Sequence, residues 1–138
     1  MTNYRATRPV STVVVAFNGR VFGLDPVTGG TLWEQQVGSP YDAVALVVTE
    51  SAIYAATPGM LACLLYPTGS LVWSVDTRWL GRPSLMLDGD RLILAKTGTV
   101  ECYSLSGERL WENGFKGKGK GAIAMGVPGF VVQSDETA

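Results

Sequence analysis

Three tryptophans spaced 40 and then 38 residues apart constrain this chain more than any other feature. They stand in one context: Thr28-Gly29-Gly30-Thr31-Leu32-Trp33, Thr68-Gly69-Ser70-Leu71-Val72-Trp73 and Ser106-Gly107-Glu108-Arg109-Leu110-Trp111. In each, a glycine precedes the indole by four positions. A second glycine lies upstream at matching offsets (Gly19, Gly59 and Gly98) and opens an alternating stretch. Before it comes a short apolar run: Val13-Val14-Val15-Ala16, Ile53-Tyr54-Ala55-Ala56 and Leu92-Ile93-Leu94-Ala95. The same features in the same order three times make an internal repeat. A repeat decides architecture before any motif does.

Each unit reads as four short strands, A to D. Alternation over five or six residues rich in Val, Ile, Leu and aromatics is strand-like, and the Asn-Gly, Pro-Gly, Thr-Gly and Ser-Gly pairs between are turn signals. In the second unit the expected strands lie near 42–48, 52–56, 60–65 and 71–75. No helical period bounded by caps runs anywhere over ten residues. Four antiparallel strands repeated about every 40 residues describe a blade of a β-propeller, so the expected class is all-β. One domain, 1–138, is expected, with blades near 4–38, 41–78 and 82–114 and a partial blade at 121–134. Strand A of the first unit falls at 4–10, a poor strand that contains Pro9.

The residues also resemble a known family. Val21, Leu24-Asp25, Thr28-Gly29 and Leu32-Trp33 form a nearly complete copy of the repeat of the PQQ-type (quinoprotein-like) β-propellers, with their tryptophan-docking motif. The second unit departs by Leu64-Leu65 and the third by Tyr103-Ser104, where Leu-Asp is the pattern. The resemblance implies a fold strongly and a function weakly, because this repeat serves enzymes, scaffolds and signalling domains alike. It implies structural roles for Trp33, Trp73 and Trp111, each wedged against a neighbouring blade, and for the turn glycines Gly29, Gly69 and Gly107. Trp79 lies outside the repeat register, between the second and third units, and is a candidate contact residue.

About three and a half blades per chain fall short of the four to eight of a closed propeller. An open arc leaves apolar blade faces in water. Either chains assemble to close the ring or the sequence belongs to a longer polypeptide, and a homodimer is the favoured expectation.

Composition narrows the chemistry. Histidine is absent, which removes Ser-His-Asp and Cys-His nucleophile systems and most zinc and iron sites. The two cysteines, Cys63 and Cys102, occupy the position of Gly23 in successive units and read as small packing residues. Dehydrogenases of the resembled family use a calcium ion and often a vicinal cysteine pair, and this sequence has no such pair. Asp25 reads as a turn residue, and Asp88 and Asp90 as parts of a hairpin. No catalytic, cofactor-binding or metal-binding residue is therefore assigned, and no cofactor is expected. The first ten residues are polar, with Arg5 and Arg8, and the run at 13–17 stops at Asn18-Gly19. No secretory signal or membrane span is read, and a cytoplasmic setting is expected.

A net charge of −1 conceals an expected polarity. In a propeller the B–C and D–A loops share one face. That face would carry Arg20, Arg78, Arg82, Lys96, Lys116, Lys118 and Lys120, with Asp42 and Asp76 nearby and Trp79 among the cations. The other face would carry Asp25, Glu50, Asp88, Asp90 and Glu108. Lys116-Gly117-Lys118-Gly119-Lys120-Gly121 suits phosphates or an acidic peptide. The expected function is a non-enzymatic module that binds a protein partner through this face, as a homo-oligomer. An anionic ligand on the basic residues is second, with nucleic acid last among such ligands because the blades account for the aromatics. A fragment of a quinoprotein-like enzyme is third.

Overall fold

The computed structural model describes residues 11–79 and 81–133, without the side chain of Gln133. The expected strand at 4–10 lies outside the described residues. Within them the chain is all strand and turn, and it runs as antiparallel meanders. The first sheet contains β1 (Val13–Phe17), β2 (Arg20–Leu24) and β3 (Thr31–Gln36). The second contains β4 (Ala45–Val48), β5 (Ala52–Thr57), β6 (Met60–Leu65) and β7 (Leu71–Asp76). The third contains β8 (Ser84–Asp88), β9 (Arg91–Lys96), β10 (Thr99–Ser104) and β11 (Arg109–Asn113). A hairpin of β12 (Ala124–Val127) and β13 (Phe130–Gln133) follows, with β13 against β8. No helix among the described residues is long and apolar enough to cross a membrane.

The repeat of the sequence returns as a repeat of register. Gly23 pairs across the strands with Trp33, Cys63 with Trp73 and Cys102 with Trp111. Immediately after each pair the register shifts, so that Leu32, Val72 and Leu110 have no direct partner. An extra residue of this kind kinks the strand and re-aims the side chain beside it, here the indole. The small residue opposite is required by the ring: a Cβ on Gly23 would stand 2.3 Å from Trp33.

Two apolar seams join the three larger sheets. Val14, Ala16 and Val21 of the first sheet meet Ile53, Ala55, Ala62 and Leu64 of the second. On the second sheet's other side, Tyr54, Ala56, Leu61 and Cys63 meet Leu85, Leu92, Leu94 and Tyr103. At the outer rim each seam is closed by an indole. The Trp33 Nε1–H donates to the Pro67 carbonyl at 2.7 Å, and its ring lies over Gly69, where a Cβ would come within 2.3 Å. The Trp73 Nε1–H donates to the Leu105 carbonyl at 2.9 Å, with its ring over Gly107 at 2.9 Å from a Cβ placed there. Both cysteines are buried and free, and burial pushes the Cys63 thiol above its ordinary pKa.

Candidate interaction surface

The two-residue turns between B and C strands bond directly to the D–A connections. Gly19 donates its amide to the Asp42 carbonyl at 2.8 Å and accepts from Val37 at 2.8 Å. Thr77 donates to Gly59 at 2.9 Å, and Gly98 to Gly121 at 3.1 Å. Such bonds gather both sets of loops on one face, as the strand order requires. On the opposite face the C–D turn at 65–70 is tied to the A–B turn by Tyr66 donating to Ser51 at 3.1 Å. There Asp25 Oδ1 accepts from the Val27 amide at 2.8 Å, the turn role expected of it.

Between the loops of the first and second sheets opens a groove of about 600 Å³, bordered by Ser39, Asp42, Thr57, Met60 and Trp79. Trp79 lies over Gly59 yet remains 69% exposed, and Tyr41 beside it is 87% exposed. Tyr41 also holds a φ of +70°, a left-handed conformation that is strained for a bulky L-residue. Arg82 borders the space between these two aromatics. Sequence reading singled out Trp79 and missed Tyr41, since a lone loop tyrosine carries no periodic signal.

The seven cations expected on this face have different surroundings. Arg20 pairs with Glu34 at 2.9 Å. Arg78 pairs with Glu112, which also reaches Arg109 at 3.4 Å. Lys96 is not a surface cation: it is 3% exposed. Its Nζ donates to the Pro58 carbonyl at 2.7 Å, the Thr77 hydroxyl at 2.5 Å and the Arg78 carbonyl at 2.7 Å. Burial lowers its pKa to about 8, opposed by the charge of Glu101 and aided by that of Arg78. The signal was present in the alternation, because Leu92, Leu94 and Lys96 point to one side of β9. Glu101 shares that side, is buried, and accepts from Arg109 at 3.2 Å. Burial first, then the charge and hydrogen bonding of Glu101, push the Tyr103 phenol up to about 12.

Lys116, Lys118 and Lys120 are exposed, and none forms an ion pair among the described residues. Lys118 and Lys120 line a shallow hollow with Phe115, Gly98 and Ile123. Among the described residues no group of three or more cysteine, aspartate or glutamate side chains could hold a metal ion.

Comparison with solved structures places this geometry. BamB from Moraxella catarrhalis superposes with a TM-score of 0.69 at 24% identity, over 91% of this chain and 41% of that one. The computationally designed Ika4 protein gives 0.70 at 17% identity, over 89% of this chain and 78% of its own. The fold is a β-propeller. A europium-containing methanol dehydrogenase shares the propeller, at a TM-score of 0.58 and 17% identity over 76% of this chain and 23% of that one. The chain thus spans well under half the length of the natural proteins it superposes on. No family model and no curated protein matches it.

Proposed function

We propose that this propeller is a non-enzymatic interaction module that grips a protein partner through the face formed by its B–C and D–A loops, and that it self-associates. The observation carrying the reading is the pair of exposed aromatics, Tyr41 and Trp79, beside the groove at the first seam. Large rings held in water at the rim of a groove suit the aromatic anchors of protein interfaces. The likeness to BamB supports the fold beneath the reading. A tryptophan-docking role for Trp33 and Trp73 is part of it, supported by their bonds to Pro67 and Leu105.

A photo-crosslinking residue at position 79 tests the loop face. It should capture a discrete protein adduct that Tyr41→Ala abolishes, while the same residue at position 89 on the other face captures none. Equal capture from both positions would sink the reading.

A second reading has its own observation. Lys116, Lys118 and Lys120, exposed and without ion pairs among the described residues, suit an anionic ligand. Retention on heparin should then fall with salt and disappear when all three are changed to Gln. Undiminished retention of the triple variant would remove these lysines from the site.

A further inference from the structure

Arg78 is held by the third sheet at both of its ends. Its carbonyl accepts from Lys96 Nζ of β9 at 2.7 Å, and its guanidinium pairs with Glu112 of β11. The same Nζ reaches the Thr77 hydroxyl and the Pro58 carbonyl, and the Thr77 amide donates to the Gly59 carbonyl. Trp79 is the next residue, with its ring 3.6 Å from a Cβ placed on Gly59. One ammonium thus fastens both the peptide before this indole and the turn beneath it. The repeat does not demand a charge at that position. Lys96 faces Thr99 at the end of its hairpin as Thr57 faces Met60 in the second sheet, and Thr57 is buried there without any charge. A buried cation is costly, so its presence in the third sheet alone of these two calls for a local purpose.

The charges around Lys96 come from three elements. The connection brings Arg78, and β10 brings Glu101, with Tyr103 facing Glu101. Arg109 and Glu112 of β11 extend the set, since Arg109 lies 3.2 Å from Glu101 and 3.4 Å from Glu112. The turn at 57–60 carries no titratable side chain, and on β8 only Asp88 is titratable, paired with Arg91 at the other end of the ladder. With its proton, the amine has three N–H groups for three oxygens. Without it, two N–H groups remain for the two carbonyls and the lone pair accepts from the Thr77 hydroxyl. The same three contacts then persist as neutral hydrogen bonds, about half as strong as the charge-assisted ones.

We propose that Lys96 is the positioning residue of the loop-face site: from within the seam between the second and third sheets it fixes the aim of Trp79 at the groove, and loss of its proton slackens that aim and weakens the grip on a partner. The site is firm at neutral pH and loosens as pH rises through about 8, where burial places the titration of this amine. That Trp79 meets a protein partner rests on the loop-face reading above. That Lys96 aims Trp79 does not, and the two are tested apart.

Fluorotryptophan incorporated into the full 138-residue chain gives each of the four indoles its own fluorine NMR line. Trp79→Phe and Trp33→Phe identify the lines of those two residues. In the wild type the Trp79 line should move with pH about a midpoint near 8, with about four-fifths of the movement between pH 7 and 9, while the Trp33 line stays still. In Lys96→Met the Trp79 line should stand displaced at pH 7 and no longer titrate about that midpoint. Thr77→Val keeps the ammonium but withdraws one of its oxygens, so it should lower the midpoint, and it carries the test if Lys96→Met does not fold. A Trp79 line that does not titrate in the wild type, that keeps its wild-type position in Lys96→Met, or whose midpoint Thr77→Val leaves unmoved overturns the tie. A line that behaves as expected while a crosslinker at position 79 captures no protein sinks the loop-face reading and leaves the tie standing.

Discussion

Replacing Lys96 by methionine isolates the consequence of holding an ammonium inside the seam between the second and third sheets. The wild-type group is 3% exposed, and burial brings its pKa from 10.5 down to about 8. At about 1.36 kcal/mol per pH unit, that difference corresponds to about 3 kcal/mol. The sign follows from proton counting. Between pH 8 and 10.5 the unfolded chain binds the proton that the folded one has released. The stability contributed by this group is therefore present above pH 10.5, lost as pH falls through 8, and grows as pH rises between them. Tyr103 acts in the opposite sense only above pH 10, where its unfolded phenol would ionise while the folded one, with a pKa near 12, keeps its proton. The buried Cys63 thiol, raised above its ordinary value of 9.0, also acts in the opposite sense above pH 9, so the Lys96 gain of about 2 kcal/mol between pH 8 and 10 is read as the difference between the wild-type and Lys96→Met profiles. Methionine keeps the length and removes the charge, so this gain should vanish in Lys96→Met. Absolute stability at neutral pH is a poorer readout, since the relief of desolvation opposes the loss of a donor to three oxygens. Urea titrations followed by tryptophan fluorescence would give both profiles, provided the slope m is common to them. Parallel pH profiles for wild type and Lys96→Met would refute the reasoning.

Two further pairs of substitutions address the rim of the seams. Trp73→Phe, which keeps a ring but loses the N–H donated to Leu105, should cost about 1 kcal/mol, and Trp73→Ala about 3 kcal/mol; equal urea midpoints for the two variants would deny the hydrogen bond any share. Gly69→Ala meets both a positive φ and the Trp33 ring at 2.3 Å and should cost about 3 kcal/mol, whereas Gly30→Ala, facing only the Thr28 hydroxyl at 3.3 Å, should cost less than about 1 kcal/mol. Comparable losses at the two glycines would show that the indole does not constrain the turn.

The strands were legible because a period of two and a turn glycine are local signals. The stretch 60–65 returns unchanged as β6, and the expected 71–75 returns as Leu71–Asp76. The expected strand at 42–48 shortens to Ala45–Val48, since Asp42 is occupied in closing the preceding connection through Gly19 and Ser39. The loop face was harder to read. Sorting charges by loop left out the strand residues Glu34 and Glu112, whose side chains reach Arg20 and Arg78. Lys96 was assigned by its place at a strand end, when its alternation with Leu92 and Leu94 decided its direction.

The bonds from Gly19 and Gly98 to the D–A connections have a consequence for how such a repeat can change. They fasten each connection near its base, so the segments around 39–41 and 116–119 behave as loops whose ends are already fixed. Added residues there pay only the slow, logarithmic growth of closure entropy and disturb no strand register. The turn at 65–70 has no such freedom, because its glycine and carbonyl receive Trp33. The molecule therefore has one side on which new recognition can be grafted and one whose length is fixed by its neighbours. Paired insertions of a glycine-serine segment at 117–118 and at 67–68 would measure that difference as a small loss of stability in the first case and a large one in the second.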